Sequence, residues 1–272
     1  MIAGSAARPL WWGRVFVDGV VGGNHTVVLN PGAVTDPAVA AQRLGVPDTA
    51  VVVSSDERGV LLRTFSPVEE LGQCVQTSLA SIVALDLPSG RSHDVRHLTT
   101  EPLQVEREGD LVWAHSGSTD ADSHEEASTT PRWLVEQIGH ADAVRVGGTR
   151  PRLLVRCDDI NALSGAVVPA VAVRNLCTES RLNGLVIFGV HEAGVRVRVF
   201  TTSLAGAEDT ATGGAVMSVA SLLRREGVRA EIAVRQGGTD LTQHGHLRLR
   251  IDDRIALGGA VLTLARGRAV DS

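Results

Sequence analysis

Lysine and tyrosine are both absent from the 272-residue sequence, and these absences exclude several kinds of chemistry. Without lysine, the protein can form no Schiff base with pyridoxal phosphate or a carbonyl substrate, and it has no P-loop lysine for a nucleotide phosphate. We therefore expect any acid or base supplied by a side chain to be Asp, Glu, His or Cys.

Cysteine is scarce, with three residues at scattered positions, Cys74, Cys157 and Cys177. This odd number offers neither a disulfide framework nor a CxxC metal knuckle, and it suits a reducing compartment. Basic residues are not clustered, and the formal net charge is -5. The charge pattern predicts that neither nucleic acid nor an anionic membrane surface is a partner.

Long apolar runs are missing as well. No stretch approaches the roughly 20 apolar residues that span a bilayer, and residues 1–9 lack the charged start and apolar core of a secretory signal. The sequence therefore predicts a cytoplasmic protein with no membrane partner. With 43% hydrophobic residues, the chain is long enough to fold into one large or two medium globular domains.

Short Val-rich runs separated by Gly, Pro and Asp predict strands in both halves of the chain. Among them, an Asp36 cap followed by Pro37, with Gly45 as the terminator, predicts a short helix. Residues 116–130 are almost wholly Ser, Thr, Asp, Glu, Gly and Ala, which predicts a solvated linker. We expect an N-terminal lobe over 1–115 and a C-terminal lobe over 131–272. Whether the last strands return to the first lobe is left open.

The two halves share an order of strand, polar turn and helix start. The first half runs through Arg63-Thr64-Phe65-Ser66, Glu70, Cys74 and a helix over 78–85, and the second through Arg198-Val199-Phe200-Thr201, Glu208, Thr212 and a helix over 215–223. Unpaired N–H groups at a helix start bind anions and stabilise enolate-like charge. The two turns are therefore predicted to hold a small carboxylate substrate without a metal or cofactor. The alternative is that both are ordinary capped helix starts.

Four segments resemble motifs of the PhzF-like isomerases of phenazine biosynthesis. They are Gly23-Asn24-His25-Thr26-Val27-Val28 (GNPxAV), Arg63-Thr64-Phe65-Ser66-Pro67 with Glu70-Leu71 (RxFTPxxEL), Glu208-Asp209-Thr210-Ala211-Thr212-Gly213-Gly214-Ala215 (EDPATGSA) and Gln236-Gly237 (QG). The resemblance implies the α+β fold of the diaminopimelate epimerase-like superfamily, with two similar lobes. Each lobe is then a curved mixed sheet or barrel around a central helix, and the active site lies between the lobes. It also implies a cofactor-independent homodimer that transfers protons in secondary metabolism, such as antibiotic biosynthesis.

The sequence departs from the family motifs at several functional positions. Asp48 stands where the family has its catalytic glutamate, Gln76 replaces its histidine, and Gly214 replaces its serine, whereas Asp209 is retained. Cys74 and Thr212 fall where the related diaminopimelate epimerases and proline racemases place two catalytic thiols. A thiol at a helix N-terminus is expected to have a lowered pKa.

Three functional hypotheses follow. In the first, Asp48 removes and returns a proton on a cyclic or unsaturated amino or hydroxy acid. Asp209 and the backbone N–H groups around Val75 and Gly213 hold the carboxylate, and Gln76 orients the substrate; the remaining predicted substrate-binding residues are Asn24, Thr77 and Gly214. In the second, Cys74 is the base, and Thr212 assists in epimerisation or dehydration. In the third, the protein binds a ligand without chemistry.

Histidine pairs suggest no further site. His244 and His246 share one face of a predicted strand, but the sequence shows no third ligand, so we predict no metal. His93 and His97 lie among Ser, Arg and Thr, a composition that predicts a solvated loop.

Overall fold

The computed structural model describes residues 8–98, 101–116, 126–139, 142–147, 150–239 and 242–269. Its strands are β1 (Arg8–Asp18), β2 (Val21–Leu29), β3 (Asp48–Ser55), β4 (Gly59–Phe65), β5 (Glu70–Leu71), β6 (Ser92–His97), β7 (Leu103–Glu108), β8 (Leu111–His115), β9 (Glu126–Ser128), β10 (Ala143–Val146), β11 (Arg152–Arg156), β12 (Gly184–His191), β13 (Gly194–Thr201), β14 (Glu208–Asp209), β15 (Ala230–Gln236), β16 (Gly245–Ile251) and β17 (Ile255–Ala269). Its α-helices are α1 (Pro37–Leu44), α2 (Val75–Ala84), α3 (Arg132–Ile138), α4 (Ile160–Gly165), α5 (Ala170–Ser180) and α6 (Gly213–Arg225).

The chain forms two compact units. Residues 8–15, Asn24–Ala114 and 260–269 belong to the first unit, and Phe16–Gly23 and His115–Gly259 belong to the second. The last part of β17 therefore returns to the first unit.

The early segment Phe16–Gly23 lies in the second unit, although the sequence boundaries assign it to the first lobe. The reason is local pairing, because the Gly23 N–H donates to His244 O at 2.8 Å. Of the predicted linker 116–130, residues 117–125 lie outside the described residues. Glu126–Ser128 form β9, which pairs antiparallel with β10.

The two units repeat one order of strand pairing. In the first, β2 pairs parallel with β3, β3 antiparallel with β4, and β4 antiparallel with β5 and parallel with β6. In the second, β11, β12, β13, β14 and β15 repeat these relations in the same sequence. The registers agree as well, since Phe65 faces Glu70 and Phe200 faces Glu208. The repeat predicted from the sequence is confirmed at the level of single residues.

A buried helix follows each short strand. All of α2 from Val75 to Ile82 is buried, and α6 is buried at most positions from Gly213 to Leu223. A helix that is buried on all sides lies in the interior of its unit. The hydroxyls within α2 are satisfied locally, because Ser78 Oγ donates to Cys74 O at 2.8 Å and Ser81 Oγ donates to Ser78 O at 2.8 Å.

The predicted helix after Asp36 is confirmed as α1. The Asp36 carboxylate accepts hydrogen bonds from Ala38 N at 3.0 Å and Val39 N at 3.2 Å. These bonds satisfy two N–H groups that have no partner within the helix. Gly45 ends α1 at φ 64°, a left-handed conformation that glycine adopts without strain. Within the described residues, no helix combines the length and apolarity that a membrane crossing requires.

His93 and His97 are buried, and the prediction of a solvated loop was wrong. They lie on β6, where residues 93, 95 and 97 alternate toward the interior with exposures of 0%, 0% and 4%. The sequence analysis did not recognise this strand, because its inward-facing positions alternate as an apolar face only if the two histidines are counted with Val95. Neither ring nitrogen of His97 has a hydrogen-bond partner in the described structure.

Acid is expected to destabilise the protein through His97. Burial lowers the pKa of His97 from 6.5 to about 4. Between these two pH values the His97 imidazole is protonated in the unfolded chain but neutral in the folded protein. Its contribution to stability is intact above about pH 6.5 and falls as the pH drops toward 4, by about 3 kcal/mol in total.

Thermal unfolding followed between pH 4 and 7 measures this effect. His97→Leu should flatten the profile relative to the wild-type protein, whereas the same substitution at exposed His191 should leave the profile unchanged. Parallel profiles for wild type and His97→Leu would contradict the assignment.

Candidate active site

The first turn brings together two of the predicted catalytic residues, Asp48 and Cys74. Cys74 is the N-cap of α2, with φ -145° and ψ 117°, and its carbonyl accepts the Ser78 N–H at 3.1 Å. Asp48 begins β3 and lies opposite Thr26 in the register with β2. The Asp48 carboxylate is near enough to act electrostatically on the Cys74 thiol.

The pKa of the Cys74 thiol is raised, whereas a lowered pKa was expected for a thiol at a helix N-terminus. Burial raises the pKa of the Cys74 thiol far above its usual value, and the negative charge of Asp48 raises it further. Polar groups of Thr77 and Gln76 at the helix start act in the opposite direction, but they do not overcome this shift. A helix N-terminus lowers a thiol pKa only where desolvation is weaker.

The side chain of Gln76 is bound to the protein itself. Its side chain is 3% exposed, and Nε2 donates to Thr26 Oγ1 at 2.8 Å and to His25 O at 3.2 Å. The predicted role of Gln76 in orienting a substrate stays a prediction, and in this structure its Nε2 is occupied by these two protein acceptors. Gln76 fixes the start of α2 against β2, beside Asp48.

Thr77 and Asn24 are also buried, with exposures of 0% and 5%. Thr77 Oγ1 donates to Cys74 O at 3.1 Å and lies 2.9 Å from Thr64 Oγ1. The predicted contact of both residues with a substrate stays a prediction. Thr77 shapes the turn that carries Cys74.

The second turn is held by a network of three side chains. Thr212, the N-cap of α6, donates from Oγ1 to Asp209 Oδ2 at 2.6 Å. Gln236 Oε1 accepts the Thr212 N–H at 2.9 Å, while its Nε2 donates to Asp209 O at 2.8 Å and to Thr212 Oγ1 at 3.0 Å. The QG motif thus contributes the glutamine that closes the turn.

The Asp209 carboxylate accepts the Thr212 hydroxyl and so organises this turn. Its predicted part in holding the substrate acid stays a prediction. The Thr212 hydroxyl donates its proton in the hydrogen bond to Asp209, and a threonine hydroxyl does not act as a base by itself at neutral pH.

A buried ion pair supports the second turn. Arg198 and Glu208 form two bonds, of 3.0 and 2.7 Å, with side-chain exposures of 4% and 9%. Glu208 Oε1 also accepts the Gly238 N–H at 2.8 Å. Arg198 Nη1 donates to Leu163 O at 3.2 Å and to Ala166 O. These contacts fix β14 to β13 and thereby position Asp209 at the end of the strand.

The first unit has the same pair in a solvated form. Arg63 and Glu70 form two bonds, of 2.8 and 2.7 Å, with exposures of 36% and 40%. In each unit the arginine also lies over the phenylalanine two residues later, at 5.0 Å from the Phe65 ring and 5.2 Å from the Phe200 ring. The RxF motif therefore has the same structural role before both turns, where its arginine pairs with a glutamate and packs on the phenylalanine ring.

The start of α6 contains a residue that the sequence analysis missed. If Gly214 had a Cβ atom, it would lie 3.2 Å from Nη2 of Arg152, the first residue of β11. Burial and, to a smaller extent, the positive charge of Arg150 together lower the pKa of Arg152 to about 10. The sequence alone does not distinguish Arg152 from the other arginines beside apolar strands. Its position is recognisable only if the internal repeat is followed back to β11.

Metal binding has no support in the described residues, where no group of three His, Cys, Asp or Glu side chains is placed to hold an ion. The ring of His244 has a protein partner, with Nε2 at 2.9 Å from Gly238 O.

Residues 14–271 match the model of the PhzC-PhzF family of phenazine biosynthesis-like proteins. The chain belongs to this family. No curated protein sequence matches it significantly.

Solved structures share the fold of this chain. A PhzF family protein from Enterococcus faecalis has a TM-score of 0.79 at 17% identity, covering 97% of this chain and 100% of the other. A predicted epimerase from Pseudomonas aeruginosa has a TM-score of 0.75 at 20% identity, covering 98% and 100%. A hydroxyproline epimerase from Agrobacterium vitis has a TM-score of 0.59 at 13% identity, covering 97% and 93%. The predicted α+β, diaminopimelate epimerase-like fold is confirmed.

Within this PhzC-PhzF protein, the strand registers give each residue of one turn a counterpart in the other. Asp48 lies opposite Thr26, and Gly184 lies opposite Arg152, at equivalent points of the two parallel strand pairs. Asp48 therefore corresponds to Gly184, and Thr26 corresponds to Arg152. The two turns share their backbone, but only the first has a carboxylate at this position.

Proposed function

We propose that this PhzC-PhzF protein is a cofactor-independent isomerase that moves a proton on a small cyclic or unsaturated amino or hydroxy acid. The observation that carries the proposal is that Asp48 lies beside Cys74 at the start of α2, where the pKa of the thiol is raised, while the counterpart of Asp48 is Gly184. One carboxylate favours a mechanism in which a single base takes a proton from one atom and returns it to another.

In the proposed reaction, the Asp48 carboxylate accepts a proton from a C–H bond conjugated with the substrate acid. The electron pair of that bond enters the adjacent π system, and the negative charge that develops is stabilised by backbone N–H groups. Val75 supplies such a group, because N–H groups in the first turn of α2 have no intrahelical partner. Asp48 then returns the proton to a different carbon, so no redox partner is required.

The alternative with Cys74 as base and Thr212 as its assistant receives less support. Burial and Asp48 raise the pKa of Cys74, and the Thr212 hydroxyl is bonded to Asp209. As part of the same proposal, family membership supports a role in secondary metabolism and a homodimeric enzyme.

Proton exchange with deuterated water tests the proposed function. A panel of small cyclic unsaturated acids is first screened for binding by calorimetry, and each acid that binds is incubated in D₂O with substoichiometric protein and EDTA. We expect at least one acid to gain deuterium at a carbon conjugated with its carboxylate, because the half-buried Asp48 exchanges its proton with solvent over many turnovers.

Exchange that persists with EDTA would support a reaction without a metal. If the acids bind but neither exchange nor isomerise, the proton-transfer proposal fails, and the ligand-binding hypothesis is favoured.

A further inference from the structure

Three basic side chains lie next to one another across strands β13, β15 and β16 of the second unit. In the strand registers, Arg196 lies opposite Arg235, and Arg235 lies opposite His246. Directly opposite residues of neighbouring strands project from the same face of a sheet, with Cβ atoms about 5 Å apart. We call Arg196, Arg235 and His246 the basic row.

The basic row lies on the outer face of this sheet. Val234 and Leu247, the chain neighbours of Arg235 and His246, are each 2% exposed. By contrast, Arg235 is exposed, and Arg196 and His246 are half-buried. Since successive residues of a strand point to opposite faces, the row projects away from the core on which its neighbours pack.

The charge of Arg196 is not neutralised by its surroundings. Its Nε atom is buried and has no hydrogen-bond partner in the described structure. Burial and then the positive charges of Arg235 and Arg198 lower the pKa of Arg196. Glu208 acts in the opposite direction, but its carboxylate already forms two bonds with Arg198. A buried donor without an acceptor is costly, which points to an acceptor that is not part of the described chain.

The other end of the basic row is bordered by the turn between β1 and β2. A Cβ on Gly22 would lie 3.3 Å from Cδ2 of His246, so the backbone of this turn packs against the imidazole. Asp18, in the same turn, lies 3.8 Å from His246 Nδ1 and is 71% exposed. This solvated carboxylate is the one acid that the described ion pairs place beside the row, and none of these ion pairs includes Arg196 or Arg235.

Elsewhere on the same strands, opposite charges face each other. Glu231 of β15 lies opposite Arg250 of β16, and the two side chains form an ion pair of 3.2 Å. Like charges that lie directly opposite destabilise a sheet. The Arg196–Arg235 pairing therefore departs from the pattern of its own strands, and a bound anion would relieve the repulsion.

We propose that Arg196, Arg235 and His246 form a binding site for a phosphate group. A guanidinium pairs with two oxygens of a phosphate in one plane, and the tetrahedral group offers further oxygens to a second guanidinium and to an imidazole N–H. The group belongs either to free phosphate or to a small phosphate monoester.

The proposed site is separate from the second turn. Gln236 follows Arg235 on β15 and points to the opposite face, where it bonds Thr212. The thickness of the sheet therefore lies between the phosphate site and the start of α6. The inference goes beyond the proton transfer proposed for Asp48, because it assigns a second ligand to another face of the protein.

Calorimetry at constant ionic strength tests the site, with inorganic phosphate and phenyl phosphate as probes in a chloride background. We expect the wild-type protein to bind both, and Arg235→Gln to weaken binding by about 10- to 100-fold, the usual effect of removing a charged hydrogen-bond partner. Arg250→Gln is the matched control, because it removes the same charge from a residue of the same face that has a protein partner. Its expected change is below about 3-fold. Tighter binding of phenyl phosphate identifies a monoester as the ligand, and equal binding identifies free phosphate.

Thermal unfolding separates this site from a structural role. Removal of one of two opposed like charges should leave the melting temperature of ligand-free Arg235→Gln unchanged or raise it, and phosphate should stabilise wild type but not this variant. The proposal is overturned if wild type binds neither probe, if Arg235→Gln binds them as wild type does, or if Arg250→Gln loses as much affinity as Arg235→Gln. A lowered melting temperature of ligand-free Arg235→Gln would also contradict it. Asp48→Asn should bind phosphate as wild type does, so failure of this site and failure of the proposed proton transfer are distinguishable.

Discussion

Asp48→Asn is expected to lower turnover of the isomerised acid by about 100- to 10,000-fold, the contribution of a positioned general base. Asparagine retains the size and hydrogen-bonding capacity of aspartate but accepts no proton at neutral pH. The variant should therefore fold and bind substrate normally, and the loss should fall on kcat and not on KM. Steady-state kinetics by NMR or absorbance, with calorimetric binding as a check on folding, measure this result.

Cys74→Ala is the matched control in the same turn. Because the Cys74 pKa is raised, the thiol carries its proton at neutral pH, and its removal should leave turnover within about 10-fold of wild type. Asp48→Glu provides a second check, since it restores the residue of the resembling isomerases and should retain part of the activity. If Asp48→Asn is fully active and Cys74→Ala is inactive, Cys74 is the base and the proposed mechanism is wrong.

Glu208→Ala is expected to reduce the free energy of unfolding by about 3–5 kcal/mol, the usual effect of removing one partner of a buried ion pair. The substitution leaves the Arg198 guanidinium, which is 4% exposed, without its carboxylate, and it removes the acceptor of the Gly238 N–H. The carbonyls of Leu163 and Ala166 still accept from Arg198, which favours the lower end of this range. Urea denaturation followed by tryptophan fluorescence measures the change.

Glu70→Ala supplies the control for this prediction, because Glu70 occupies the equivalent position in the first unit. The Arg63–Glu70 pair has the same two-bond geometry but is solvated, and exposed pairs contribute about 1 kcal/mol or less. Equal losses for the two variants would show that burial does not set the strength of these pairs. Loss of activity in Glu208→Ala beyond its loss of folded protein would show that the pair also positions the second turn.

Much of the fold could be predicted from the sequence, because the two halves carry the same residue types at the same spacing around each turn. Arg63 and Arg198 each precede a phenylalanine by two residues, and Glu70 and Glu208 each precede a helix cap by four. Such spacings are set by local strand and turn geometry, which sequence patterns report directly. The structure confirmed them to the level of residue register.

Burial and its electrostatic consequences were not accessible in the same way. The pKa of Cys74 depends on how deeply the turn is enclosed and on Asp48, which is distant in sequence, so the helix-start rule predicted the wrong direction. His97 required knowledge of which face of β6 packs inward. The protein-bound amide of Gln76 likewise follows from the approach of β2 to α2, a tertiary contact that no local pattern encodes.

The equivalence of Gln76 and Gly214, the second residues of α2 and α6, means that the two helix starts share a backbone but differ in what occupies them. In the first unit the Gln76 amide contacts Thr26, whereas in the second unit the glycine at position 214 leaves this space to the Arg152 guanidinium. A relative in which the two residue pairs are exchanged would be expected to have the guanidinium at the helix start of its first unit.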